Sequence, residues 1–247
     1  MELNGSPIVL VHGGRHGGWC WERLSPLLTE KGFRAFSPTL SGLGERSHLL
    51  GKFAIDLDTH ISDIVGVIKH NQLKEVLLVG HSYAGMVITG VAALIPELIQ
   101  HLVYLDAVIP TSGQSHLDTC DPLRAMELNR LIKEEGKGVI VPANSSGLAY
   151  FGIIDPNDEI WVGERLTDQP ALTYQQKIGD VSSVDLIPKT FIRCLNSDLV
   201  PQSALEVVRT QLGFNLIEID AGHDVMVTDP QLIAKAILNI ANYERAR

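Results

Sequence analysis

A serine hydroxyl attacks a carbonyl only when a base stands within hydrogen-bond reach, and this chain offers a serine and a histidine in suitable places. Ser82 lies in Gly80-His81-Ser82-Tyr83-Ala84-Gly85, after the apolar run Val76-Leu77-Leu78-Val79 and before a helical pattern from Tyr83 to about Ile95. A strand that becomes a helix within so few residues needs small neighbours at the turn, and it lifts the apical side chain above the strand ends. Such a turn is a nucleophile elbow, whose chemistry is acyl transfer. The pattern departs from G-x-S-x-G in having Ala84 at the last place and Gly85 one residue later, a difference of one methyl group. The competing reading of Ser82 is an exposed serine in an ordinary strand–helix turn.

Of the nine histidines, His223 follows a late strand in the glycine-bearing loop Asp220-Ala221-Gly222-His223-Asp224, and it is the expected base. His81 adjoins Ser82, but adjacent side chains diverge at a sharp turn, so it is expected to point elsewhere. Two carboxylates compete to orient the imidazole. Asp106 ends the strand His101–Leu105, and Asp198 sits in Asn196-Ser197-Asp198-Leu199-Val200-Pro201. A carboxylate among Val103-Tyr104-Leu105 and Ala107-Val108-Ile109 must be paired or hydrogen-bonded. An imidazole N–H would do that, so Asp106 is favoured with Asp198 as the alternative. Capping loop amides is the other role open to Asp106, and Asp224, beside the histidine, is not expected to serve. The strand Pro7–His12 runs into Gly13-Gly14-Arg15-His16-Gly17-Gly18-Trp19. That spacing is not the dinucleotide fingerprint, and it suits backbone N–H groups of an oxyanion hole.

The elements that must position these groups alternate. Helices are expected at Trp21–Lys31, Asp56–His70, Ser203–Gln211 and Pro230–Tyr243, and further strands at Phe33–Pro38, Thr190–Leu195 and Phe214–Ile219. Thr39–Phe53 reads as a loop whose Glu45, Arg46 and His48 face solvent, and His60 and His70 are placed on a helix surface or rim. About six strands separated by helices imply an α/β fold, a mostly parallel sheet covered on both faces with its site at the carboxyl ends. From Thr111 to about Leu186 the alternation stops. Residues 1–110 and 187–247 then form the core of a single domain, and 111–186 an inserted cap with a helix at Arg124–Glu135 and turns at Pro142–Gly152 and Asp155–Asn157. Tyr150, Phe151 and Trp161 are its candidate substrate contacts, together with Gly13 of the first loop.

Composition narrows the function classes. With 247 residues, 45% hydrophobic and 20% charged, the chain is globular, and a net charge of −9 without a basic cluster argues against nucleic-acid or anionic-membrane partners. Cys20, Cys120 and Cys194 lack metal-ligand spacing and read as buried thiols. Neither a secretory leader nor a membrane-length apolar run is evident, so the expected setting is cytoplasmic, and the sequon Asn144-Ser145-Ser146 carries no meaning there. No metal and no organic cofactor are expected; self-association as a homodimer stays open.

His12-Gly13-Gly14 with His16-Gly17-Gly18-Trp19, Gly80-His81-Ser82-Tyr83-Ala84-Gly85-Met86 and Gly222-His223 together resemble motifs of the α/β-hydrolases. The resemblance is to the small branch of plant methylesterases, hydroxynitrile lyases and bacterial esterase relatives. It covers most of the chain and is weakest in 111–186. It implies an α/β-hydrolase fold in which the N–H groups of Gly14 and Tyr83 hold a tetrahedral oxyanion. Members of this family mostly carry the acid near Asp198, although an ungapped match through Phe191-Ile192-Arg193-Cys194 and Pro201 puts Ser197 there. Some haloalkane dehalogenases keep the acid where Asp106 stands. The expected activity is hydrolysis of small, largely apolar carboxylic esters through an acyl-enzyme. Lyases of the branch resemble one another in a threonine and a lysine at the positions of Gly13 and Asp224, so that activity is disfavoured. A ligand-binding protein that turns over poorly is the reading from a different class.

Overall fold

The computed structural model describes residues 5–143, 148–211 and 213–245. The sequon at Asn144 lies outside them. The described residues form eight strands: β1 Ile8–Val11, β2 Ala35–Phe36, β3 Val76–His81, β4 Ile99–Leu105, β5 Ile140–Val141, β6 Gln169–Pro170, β7 Lys189–Cys194 and β8 Phe214–Ile219. Six of them make one sheet in the order β2-β1-β3-β4-β7-β8, with every neighbouring pair parallel. The short β5 and β6 pair antiparallel apart from it.

Side chains alternate across a strand, and here both faces are buried. Val9, Val11, Val76 and Leu78 join one core, which the helices Leu57–His70, Ala84–Leu94 and Gln202–Thr210 cover. Ile8, Leu10, Leu77 and Val79 join the other, closed by Ser25–Thr29 and Pro230–Arg245. This two-sided burial explains why β1 and β3 read as unbroken apolar runs rather than alternating ones. Among the described residues, no helix is long and apolar enough to cross a membrane.

Several elements differ from the sequence reading for local reasons. The helix expected over Trp21–Lys31 is instead a 3-10 turn at Gly18–Trp21 followed by a short helix at Ser25–Thr29. Pro26 lacks an N–H and cannot sit inside a continuous helix, so the chain restarts with proline in the first turn. Within the expected loop, Gly44–Leu49 forms a 3-10 turn. Glu45 there accepts from Thr39 Oγ1 (2.9 Å), and Arg46 pairs with Asp63 (3.2 Å), which ties the turn to the Leu57–His70 helix. His60 is fully buried rather than on a rim, since it shares the apolar stripe with Leu57, Ile61, Ile64 and Ile68. Asp155 begins a helix, Pro156–Gly163, by accepting from the amides of Asn157 and Asp158.

The Leu57–His70 helix starts with a reciprocal cap: Asp56 accepts from the Thr59 amide, and Thr59 Oγ1 accepts from the Asp56 amide. Asp56→Ala is expected to cost about 1 kcal/mol and to lower the melting temperature by about 2–4 °C, read by thermal unfolding followed by circular dichroism.

Candidate active site

Parallel strands end at a common edge, and the groups singled out by sequence meet there. β3 ends at His81, and Ser82 follows with φ +56°, in the left-handed region that a side chain enters only under constraint. The constraint is visible. The Ser82 amide donates to Leu105 O (3.2 Å), and Ser82 O accepts from the amides of Gly85 (3.1 Å) and Val108 (3.2 Å). A methyl group on Gly80 would meet Ala84 O and Ile88 at 2.8 Å, and one on Gly85 would overlap the Val108 carbonyl. Gly85, rather than position 84, is therefore where the elbow demands glycine.

Asp106, next after β4, has φ +42° and continues the sheet by donating its amide to Ile192 O (2.8 Å). Its side chain is fully buried and its carboxylate is satisfied from two directions. Oδ1 accepts from the Cys194 amide (3.1 Å) and Oδ2 from His223 Nδ1 (2.6 Å). His223 follows β8, so this bond joins the loops after β4 and β8, while the Cys194 amide adds the end of β7. It leaves Nε2 of His223 as the ring nitrogen available to a cavity of about 70 Å³ that Ser82, Asp106, His223, Gly13 and Gly14 all line. The Ser82 hydroxyl has no hydrogen-bond partner among the described residues, and catalytic hydrogen bonds often close only in the substrate complex.

Asp198 also lines this cavity, but it is exposed and makes no bond to His223. Tyr150 and Phe151 line it, with the Phe151 ring stacked on His223 at 5.9 Å. Trp161 does not reach it. That indole packs edge-on against Trp19 (5.1 Å) and between the guanidinium groups of Arg23 and Arg165. Cys20 and Cys194 are buried free thiols, whereas Cys120 is half-buried in the cavity wall. Burial pushes the Cys120 thiol up to about 11, which makes it a poor nucleophile.

The first loop is held by histidines. His12 Nδ1 donates to Gly13 O (2.8 Å) and Nε2 accepts from the Leu40 amide (3.1 Å), a pattern that fits the neutral ring. Burial, against the Gly13 hydrogen bond, brings its pKa down to about 3. Gln169 Oε1 accepts from the Arg15 amide (2.8 Å), and the Tyr174 hydroxyl fills the space where a side chain on Gly14 would lie. His60, lowered to about 4 by burial, accepts from the Tyr83 hydroxyl (3.0 Å) and donates to Ser41 O (2.9 Å). The Tyr83 side chain is thereby drawn away, and the amides of both Gly14 and Tyr83 donate to no acceptor among the described residues.

Sequence reasoning missed a second buried couple behind the first. His16 Nδ1 faces Gly14 O (2.9 Å) and Nε2 faces Asp224 Oδ2 (3.0 Å), an acceptor at each ring nitrogen. Nothing local signals a pairing across 208 positions. His81, expected to point elsewhere, packs on the His223 ring at 4.4 Å and donates Nε2–H to His223 O (3.1 Å). Burial holds it well below the usual histidine range, so it is neutral. His81, His223 and Asp224 bring one donor atom each within 4.8 Å of one another. The loop is also gripped from residues 148–152. The Asp224 amide donates to Phe151 O (2.9 Å), and a methyl group on Gly152 would meet Gly222 Cα at 2.6 Å.

The chain belongs to the Alpha/beta hydrolase family, whose model matches residues 8–236. It is 34% identical over 245 residues to the carbendazim hydrolyzing esterase of Nocardioides sp. (strain SG-4G), covering 93% of this chain and 97% of that protein. Methylesterase 1 of Arabidopsis thaliana is 25% identical over 269 residues, with 95% of each chain covered. Among solved structures, an extracellular alpha/beta-hydrolase from a Paenibacillus species superposes with a TM-score of 0.83 at 23% identity, over 96% of this chain and 98% of that one.

Burial alone would raise the Asp224 carboxyl, but His16, the strongest opposing influence and its hydrogen-bond partner, outweighs it and the pKa falls to about 2. A depressed carboxylate contributes stability that is complete above its unfolded pKa and is lost as pH falls through the folded value. The protein should therefore lose about 2 kcal/mol between roughly pH 4 and pH 2 from this group. Asp224→Ala should cost about 3–5 kcal/mol near neutrality and flatten that acid limb, both measured by urea unfolding across pH.

Proposed function

We propose that the chain is a carboxylic ester hydrolase acting through Ser82, His223 and Asp106. The observation that carries this reading is the 2.6 Å hydrogen bond from His223 Nδ1 to the buried Asp106, with Ser82 in the same cavity. It is supported by family membership and by relatives named as esterases.

Ser82 Oγ attacks the ester carbonyl and passes its proton to His223 Nε2. Asp106 keeps the imidazole in the tautomer that accepts there, and it stabilises the imidazolium that forms. The amides of Gly14 and Tyr83, both lacking an acceptor in the protein, hold the developing oxyanion. Preorganised donors of this kind are aimed at charge that appears only in the transition state. The imidazolium returns its proton to the departing alcohol, leaving an acyl group on Ser82. Water, deprotonated by His223, then attacks the acyl carbon, and the carboxylic acid departs as Ser82 regains its proton.

Residues 111–186 act as a cap in this reading, since they supply Phe151, Tyr174 and His116 to the cavity wall. Aromatic walls and a volume of about 70 Å³ suit an ester with a small apolar body. A hydroxynitrile lyase is not favoured. Where a lysine would stabilise departing cyanide, Asp224 is buried and bound to His16.

Hydrolysis of p-nitrophenyl acetate should vanish in Ser82→Ala and His223→Ala. Asp106→Asn should lower kcat by about 10⁴, whereas Asp198→Asn should stay within a few-fold of wild type. The reverse order for the two aspartates would transfer the orienting role to Asp198.

A further inference from the structure

One wall of the cavity carries charge that the ester reaction above does not use. Arg15 and Arg124 both line it. Arg15 lies over the Phe151 ring at 5.4 Å, and Arg124 over the Tyr150 ring at 5.7 Å. Aromatic faces are the partners shown for these guanidinium groups; neither has an ion pair or a side-chain hydrogen bond among the described residues. Arg15 Nε is shut off from solvent with no hydrogen-bond partner. A buried donor left unpaired is expensive, and more so when it is charged.

The surroundings do not relieve this. Burial, reinforced by the like charge of Arg124, lowers the Arg15 pKa from its ordinary value. His116, which also lines the cavity, is brought down to about 3 by burial and by the charges of Arg124 and Arg15, so it is neutral. Asp224 is the buried carboxylate that acts on Arg15, and His16 already binds it. Asp121 and Asp198 also line the cavity, but both are exposed and pair with neither arginine. A chain of net charge −9 would repel anions at long range, so two cations in the Ser82 cavity with no ion pair among the described residues are a local reversal.

We propose that the cavity takes esters that also carry a carboxylate, held by Arg15 and Arg124 while the ester carbonyl lies at Ser82. Half-esters of dicarboxylic acids are the simplest such compounds. Guanidinium groups match carboxylates with paired N–H donors, and Phe151 and Tyr174 supply the apolar wall for the carbon skeleton between the two ends. This assignment rests on the ester-hydrolase reading and names its substrate class.

The test separates the two. In Ser82→Ala protein, calorimetry should show monomethyl glutarate binding about tenfold or more tightly than dimethyl glutarate, the gain expected of a charge-assisted hydrogen bond. The difference should shrink as salt is raised and disappear when Arg15→Gln or Arg124→Gln is added. Wild-type kcat/KM should favour the half-ester in the same sense, mainly through KM. Hydrolysis of both compounds without an anion preference, or a preference that survives both substitutions, overturns the anionic-substrate proposal and leaves the hydrolase standing. An anion preference in binding with no hydrolysis of either compound removes the hydrolase reading, and with it the substrate assigned here.

Discussion

The carboxylate of Asp106 is the point on which the site's geometry turns. A fully buried charge survives in a protein only when its oxygens are matched by donors, and here those donors come from two other strands. The Cys194 amide at the end of β7 fills one oxygen, and His223 beyond β8 fills the other. One buried charge thus fixes the relative position of the ends of β4, β7 and β8. It can do so because a parallel sheet brings all its carboxyl ends to one edge, where loops of different sequence distance become neighbours. Ser82 arrives at the same edge from β3, and Leu105 O and the Val108 amide, flanking Asp106, bond its backbone. Both residues take positive φ. Strain of that kind costs roughly 1–3 kcal/mol per residue, and the bonds on either side of each residue hold it in place.

Around that carboxylate lies a layer of imidazoles with divided duties. His12 and His60 are neutral and brace the first loop and the Tyr83 side chain. His16 and Asp224 form a separate buried pair under the His223 loop, and His81 packs between the two couples. Rigidity of this sort is what preorganised electrostatics require, because donors fixed in advance need no reorganisation when charge develops. The segment 148–152 adds a grip from outside, through Phe151 and Gly152 on the loop that carries His223.

Much of this was legible in the sequence where local chemistry decides it. β1 and β3 announce themselves as apolar runs because both their faces are buried, and the elbow announces itself because only glycine fits at positions 80 and 85 around Ser82. What escaped was set by contacts between distant residues. The apolar neighbours of Asp106 favour it over Asp198, but they do not say which imidazole it meets, since that depends on where β8 delivers His223. The pairing of His16 with Asp224 spans almost the whole chain. Two misses did leave a local trace: Pro26 marks the break in the expected helix, and His60 sits at the spacing of its helix's buried stripe. Trp161 was misplaced because aromatic composition says nothing of direction; its ring packs between arginines rather than in the cavity.

The central claim is that one hydroxyl, activated by an oriented imidazole, becomes covalently acylated. Reaction with an activated alkyl phosphonate followed by peptide mass spectrometry reads this directly, with no assumption about the natural ester. The account predicts a single adduct on Ser82, absent in Ser82→Ala and formed far more slowly in Asp106→Asn. An adduct on any other residue, or none under conditions where other serine hydrolases are fully labelled, would contradict it.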